Sequence, residues 1–220
     1  MPRPERLILA SLIAPPAFVV GYTLIGRSRP GYDPMRHSVS LLSLTSRGWT
    51  QTANFLATGA LIAAGGRGLW RAGTGAVPRA AAVGTALAGA GLVTAGIFRS
   101  DPVNGYPPGT PEEMPESVTA IGAMHLVGAF LFFGSLSVAP LLVARGASAT
   151  GDAWFARYSA GSALVVLVAT VGAAAPPGTV SPLARITGLT QRLAIVTGLS
   201  WIVAVSLRAM GGIPMASGPT

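Results

Sequence analysis

The chain has 220 residues, of which half are hydrophobic and only a tenth are charged, and its mean hydropathy is +0.57. Soluble domains carry about 25 % charged residues, so this composition excludes an ordinary soluble protein and indicates an integral membrane protein. The formal charge of +8 comes from fifteen arginines that lie singly at segment ends, which is typical of membrane anchoring and not of nucleic-acid binding. The lack of cysteine excludes disulfides, thiolate metal sites and cysteine nucleophiles.

The long apolar runs predict an all-α fold, with one membrane domain over residues 1–220 built as a bundle of six transmembrane helices. Each run is close to the length of about 20 residues that spans a bilayer, and glycines and prolines lie between the runs. Pro15 and Pro16 fall inside the first run and are expected to kink it. The predicted helices cover residues 7–26, 49–69, 79–98, 118–143, 155–175 and 186–207.

Six helices place both termini on one side of the membrane and the loops 27–48, 99–117 and 176–185 on the other. Eight arginines then belong to the terminal side and six to the loop side. Because an excess of arginine marks the cytoplasmic face, we predict a multi-pass protein of the cell membrane with cytoplasmic termini.

Two polar inserts hold most of the side chains that could do chemistry. The first is RSRPGYDPMRHSVSLLSLTSRGW (27–49), and the second is RSDPVNGYPPGTPEEMPES (99–117). Both lie on the loop side, so we expect them to face each other.

Polar residues within the predicted helices also cluster in the half near these inserts. Gln51 and Asn54 begin the second helix, His125 lies about 10 Å into the fourth, and Gln191 and Arg192 begin the sixth. The other half of the bundle is nearly all alanine, leucine, valine and glycine. Since ionisable groups in spanning helices normally face the interior, this asymmetry predicts a polar pocket at the loop side.

Four residues are candidates for acid–base chemistry in this pocket: His125, Asp101, His37 and Asp33. An aspartate paired with a histidine orients the imidazole and raises its basicity, as a general base requires. The alternative for His125 is a hydrogen bond to a carbonyl of a neighbouring helix. The alternative for the two aspartates, each of which precedes a proline, is a helix cap or turn.

Other residues are candidates for ligand binding. Arg36 or Arg192 could hold a phosphate or carboxylate through a bidentate guanidinium, although Arg36 could instead be an interfacial anchor. The remaining ligand-binding candidates are Asn54, Ser40, Tyr106 and Gln191.

Two histidines and an aspartate could also bind a divalent metal. However, no ligand pair shows the helical spacing of a metal site, so we predict neither a metal nor a cofactor.

Several segments resemble a bacterial family of multi-spanning membrane proteins known as domain of unknown function 998. The matching segments are PGYDPMRHSVSLLS (30–43), RGWTQTANFLATG (47–59) and FRSDPVNGYPPGTP (98–111), followed by Gly122 and His125 in a G-x-x-H pattern. The resemblance implies a six-helix membrane fold and the pairing of the two inserts. It implies no catalytic roles, because the family has no assigned activity.

Three functions are compatible with this sequence. The first is binding or processing of an amphipathic lipid or isoprenoid-like small molecule. The second is a transporter, which would need polar lining through the membrane, and the third is an accessory subunit that docks a partner membrane protein. Small residues at four-residue spacing, such as Gly59 and Ala63, would suit either a compact monomer or a homo-oligomer.

Overall fold

The computed structural model describes residues 3–73, 79–113, 117–174 and 185–211 of the chain. Within these ranges the fold is all-α, as predicted, and the only β contact is an isolated bridge between Val103 and Tyr106. A short 3-10 helix, Val39–Ser43, lies between the first two α-helices. The α-helices are α1 (Pro4–Arg27), α2 (Trp49–Ala72), α3 (Arg79–Ile97), α4 (Ala120–Ala149), α5 (Ala153–Ala173) and α6 (Thr187–Gly211).

Five of these helices, all except α2, are long and apolar enough to cross a membrane. The prediction of several membrane-spanning helices is therefore confirmed, whereas six spanning helices stay a prediction. The reason lies in the composition of α2, which carries Gln51, Asn54, Arg67 and Arg71. This helix packs between α1 and α3.

The helix ends differ from the predicted ones where polar residues continue or cap a helix. α4 runs to Ala149, six residues beyond the predicted end at residue 143, so the helix continues past the end of the apolar run. At its start, the Thr119 hydroxyl accepts a hydrogen bond from the Gly122 N–H at 2.9 Å and thereby caps the helix. α1 continues through Pro15 and Pro16 as one helix.

The helices form a bundle in which each packs against the next, and α6 returns to α1. Large side chains with almost no exposure fill its centre, and they come from several different helices. The largest are Trp201, Phe18, Ile8, Ile62 and Leu136.

Glycines bring α3 against both of its neighbours. A β-carbon at Gly89 would lie 2.4 Å from the backbone nitrogen of Ala63 in α2, and one at Gly91 would lie 2.5 Å from that of Phe132 in α4. Real β-carbons do not approach backbone atoms this closely. The small residues are therefore used for close packing within one chain, as membrane helices require where no hydrophobic effect drives them together.

This packing makes a stability prediction for Gly91. Replacing it with alanine forces α3 and α4 apart, so we expect Gly91→Ala to lower stability by about 1–3 kcal/mol, the usual cost of overpacking. The thermal unfolding midpoint of the purified protein in detergent measures the effect.

Gly161 in α5 provides the matched control, since a β-carbon there meets no atom within 4 Å. Gly161→Ala should leave the midpoint unchanged or raise it. Equal midpoints for Gly91→Ala and the wild type would contradict the packing described for α3 and α4.

Candidate functional site

The loop-side end of α6 is built directly onto the first insert. The Leu189 N–H donates to the Met35 carbonyl at 3.0 Å, and the Val39 N–H donates to the side-chain oxygen of Gln191 at 2.8 Å. Gly188 permits this approach, because a β-carbon there would lie 2.6 Å from the carbonyl oxygen of His37. The first turn of α6 and the backbone of the insert therefore form one hydrogen-bonded unit.

Arg192 holds this unit together from the next turn of α6. Its Nη1 donates to the carbonyl oxygens of Pro34 at 2.7 Å, His37 at 2.9 Å and Gly188 at 2.8 Å. Its Nη2 donates to the Tyr32 hydroxyl at 2.5 Å. A guanidinium with donors in a rigid fork suits such a cluster of carbonyls, whereas an ammonium would not reach them all.

Tyr32 connects Arg192 to the rest of the insert. Burial raises the pKa of Tyr32 to about 12, although the Arg192 charge acts in the opposite direction. The phenol is therefore neutral and donates to the carbonyls of His37 and Ser38, each at 3.1 Å. The guanidinium also lies over the Tyr32 ring, 5.6 Å from its centroid.

The second insert meets the first at His37, as the predicted topology required. The His37 Nδ1 accepts from the Asp33 N–H at 2.9 Å, so Nε2 carries the proton and donates to the Asn104 carbonyl at 3.0 Å. The imidazole also packs against the Tyr106 ring with centroids 5.0 Å apart. Burial lowers the pKa of His37, with Arg36 acting in the same direction and the Asn104 carbonyl opposing.

Asn104 and Arg36 complete the contact between the inserts. Asn104 adopts a positive φ of 60° and donates its side-chain amide to the Arg36 carbonyl at 3.3 Å. The Thr187 hydroxyl donates to the same carbonyl at 2.7 Å. The Arg36 guanidinium forms an ion pair with Glu112 across the surface of the two inserts.

Beneath the joined inserts lies a cavity of about 360 Å³ between α4 and α6. Polar and apolar side chains from both inserts and both helices line it. The polar side chains that line it are Ser38, Ser40, Ser100, Asp101, Asn104, His125, Thr187 and Gln191.

A second, apolar cavity of about 30 Å³ lies beside the first, and the two share Ser40, His125, Ala129 and Gln191 among their lining residues. The smaller one is lined mainly by Phe18, Phe55, Leu92, Phe132, Phe133 and Ile195. The two are called the larger and the smaller part of the cavity.

His125 is buried in the wall of this cavity, with its Nδ1 facing α3. Backbone carbonyls only accept, so Nδ1 carries the proton and donates to the carbonyls of Phe98 at 2.9 Å and Ala95 at 3.1 Å. A hydrogen bond from His125 to a carbonyl of a neighbouring helix is the alternative to acid–base chemistry given in the sequence analysis. Nε2 is consequently the ring nitrogen with a lone pair, and it makes no hydrogen bond within the described residues.

Asp101 does not hydrogen-bond to His125, which corrects the predicted aspartate–histidine pair. Its two carboxylate oxygens accept from the Thr119 N–H at 3.0 Å and the Thr119 hydroxyl at 2.6 Å. Thr119 is the residue that precedes α4, so the Asp101 carboxylate helps to cap the start of this helix. It still lines the cavity.

Three further groups on the wall keep hydrogen-bonding capacity. The Gln191 oxygen is occupied by the Val39 N–H, which leaves its amide donors without a partner in the described chain. Ser38 and Ser40 bond to each other at 3.0 Å, so one hydroxyl hydrogen of the pair is unused. The Ser100 hydroxyl is buried and has no partner among the described residues.

The structure thus brings together four of the ten predicted site residues on the cavity wall: His125, Asp101, Ser40 and Gln191. The other six hold the scaffold around it. His37, Arg192 and Arg36 make the contacts described above, and Asp33 accepts from the Met35 N–H at 2.8 Å in a turn.

The last two predicted residues are also engaged in packing. The Asn54 amide donates to the Phe18 carbonyl at 3.3 Å and thereby joins α2 to α1. Tyr106 has no exposed surface, its ring packs against Tyr32, and its hydroxyl has no partner among the described residues.

Asn104, Ser100 and Thr187 line the cavity but were not predicted. The Asn104–Gly105 dipeptide is a turn signal that could have drawn attention to Asn104. Ser100 and Thr187 carry no such signal, because single hydroxyl residues are common at helix ends. Among the described residues, no group of three His, Asp or Glu side chains could hold a metal ion.

The five helices that are long and apolar enough to cross a membrane define the class of the protein as a multi-helix membrane protein. The sequence profile of the family described as "Protein of unknown function (DUF998)" matches residues 12–208, and the chain belongs to this family. No curated protein and no solved structure matches the chain.

The state of His37 predicts how stability depends on pH. Its folded pKa lies below the ordinary value of 6.5, so the unfolded chain takes up a proton first as the pH falls. The contribution of neutral His37 to the free energy of unfolding is therefore fully present above about pH 6.5 and is lost as the pH falls below it. We expect the thermal midpoint to drop between about pH 7.5 and pH 5.5, and to drop less in His37→Gln. Equal drops in both proteins would contradict this role for His37.

The Arg192 contacts predict that charge alone cannot replace the guanidinium. Arg192→Lys keeps the charge but loses most of the four hydrogen bonds, so we expect stability to fall by about 2 kcal/mol or more. Arg27→Lys, at the exposed end of α1, is the control and should have the wild-type midpoint. If both variants unfold together with the wild type, Arg192 does not hold α6 to the insert.

Proposed function

We propose that this protein binds an amphipathic small molecule of the membrane, a lipid or an isoprenoid-like compound, in the cavity between α4 and α6. The observation that carries the proposal is that polar and apolar side chains line one cavity of about 360 Å³. The polar head would lie against His125, Gln191 and Ser40, and the hydrocarbon chain would extend along the apolar residues Leu126 and Ala129.

The depth of the polar wall supports this orientation. His125 lies five residues from the start of α4 at Ala120, which corresponds to about 8 Å at 1.5 Å per residue. The hydrocarbon core of a bilayer is about 30 Å thick, so the wall lies at a shallow level, close to where head groups meet acyl chains. An amphipathic ligand would keep this same depth inside the protein.

His125 is the residue through which a reaction on the ligand would proceed. Of the two histidines, His37 has both ring nitrogens engaged, whereas His125 keeps Nε2 toward a cavity that it lines. A neutral imidazole with its opposite nitrogen held by carbonyls is oriented to accept a proton from a bound hydroxyl. Asp101 would act from the rim of the cavity and not as a direct partner of the imidazole.

Transport is less well supported by the geometry. A permeation pathway needs polar lining across the membrane, but polar groups are few in the terminal half of the bundle, and two pairs of them bond to each other. Ser11 pairs with Ser206 at 2.8 Å, and the Trp201 indole donates to Ser159 at 3.2 Å. A cavity of about 260 Å³ lies at the two prolines between α1 and α6, but its lining is apolar except for Ser200, so it lacks the polar lining of a pathway.

Docking of a partner protein is supported less strongly than ligand binding. Aromatic side chains provide much of the binding energy at protein interfaces. Tyr106 in the second insert is fully buried, and Tyr32 in the first packs against it with ring centroids 5.3 Å apart. These two rings hold the inserts together and so are not free to contact another protein, which leaves Trp49 as the exposed aromatic residue of the first insert.

Blocking the cavity tests the proposal. Ala129 lines both parts of the cavity, so a phenylalanine there fills the space where head and chain would join. We expect native mass spectrometry of the purified wild type in mild detergent to show a bound small molecule, and we expect Ala129→Phe to lose most of it.

The control is Ala123→Phe, which adds the same side chain to an exposed position of α4. It should retain the small molecule at the wild-type level. The same bound molecules in all three proteins would contradict the proposal, because binding would then not depend on the cavity.

A further inference from the structure

The charges around the cavity bear on the chemistry of the ligand head. Among the described residues that line the larger part, Asp101 is the only one with a formal charge, and that charge is negative. An anionic head would therefore meet a carboxylate and no cation. Burying an anion without a partner is costly.

All fifteen arginines lie within the described residues, and none of them lines either part of the cavity. Arg99, next to Ser100 in sequence, is exposed and does not line the wall. Arg192 and Arg36, which are also close in sequence to wall residues, are already engaged. Arg192 is held by three carbonyl oxygens and a phenol, and Arg36 is paired with Glu112. The segments outside the described ranges contain no arginine or lysine either.

What the wall does offer is a set of neutral hydrogen-bonding groups. His125 supplies an acceptor at Nε2, and Gln191 supplies amide donors. The Ser38–Ser40 pair supplies hydroxyls that can donate or accept. Donors and acceptors side by side match a hydroxyl group, which both donates and accepts.

We infer that the cavity selects ligands with an uncharged, hydroxyl-bearing head and discriminates against phosphorylated forms of the same hydrocarbon. This inference rests on the proposed function and adds the chemical class of the head group. The head hydroxyl donates to His125 Nε2 and accepts from the Gln191 amide. The Asp101 carboxylate and the absence of arginine from the described wall exclude the phosphate.

A series with one hydrocarbon chain and three head groups tests the inference. Oleyl alcohol, oleyl phosphate and oleylamine are each added at equal concentration to the purified protein in detergent, and occupancy is measured by native mass spectrometry. Ala129→Phe is measured in parallel, and only occupancy that this variant loses is counted as binding in the cavity. We expect the alcohol to exceed the phosphate and the amine by about tenfold or more.

The outcomes separate the two claims. Cavity binding in which the phosphate equals or exceeds the alcohol overturns the inference and leaves the proposed function standing. Preference for the amine also overturns it, because the Asp101 charge would then be the recognition element. If none of the three shows occupancy that Ala129→Phe removes, the proposed function fails and the inference fails with it.

A gain of phosphate binding provides an independent test. Val118 lines the cavity at its loop-side mouth and is 46 % exposed, so a larger side chain fits there without entering the core. Val118→Arg should raise oleyl phosphate occupancy by about tenfold, whereas Val118→Gln should not. No difference between these two variants would show that the missing cation is not what excludes the phosphate.

Discussion

The structure depends on one half-buried guanidinium that joins the last helix to the first insert. Arg192 lies in a helix of an apolar bundle, where a charge is costly unless its donors are satisfied. Three backbone carbonyls and the Tyr32 hydroxyl satisfy them. Because two of those carbonyls belong to the insert, the insert is held in one position, and it in turn covers the cavity.

This arrangement keeps the arginines away from the cavity wall. Arg192 and Arg36 hold the inserts in place, and no arginine lines the wall. Asp101 and neutral polar groups from both inserts, α4 and α6 form the wall together with apolar side chains. A cavity with this lining would suit the proposed ligand, which is polar at one end without being charged there.

The sequence predicted the all-α fold and the meeting of the two inserts, because hydropathy locates apolar helices and their alternation places the inserts on one side. It also identified His125 as an inward-facing polar residue. It could not identify hydrogen-bond partners, since these depend on side-chain geometry: Asp101 caps α4 at Thr119, and His125 bonds to the carbonyls of Ala95 and Phe98. Hydropathy likewise could not locate the end of α4, because helicity continues beyond the apolar run.

A density map of the wild-type protein purified in lipid nanodiscs tests the central claim most directly. Electron cryomicroscopy at a resolution that shows side chains would reveal what lies between α4 and α6. We predict elongated density with one end against His125 and Gln191 and the other toward Leu126. A cavity filled by the protein's own side chains, or density no larger than single water molecules, would contradict the account.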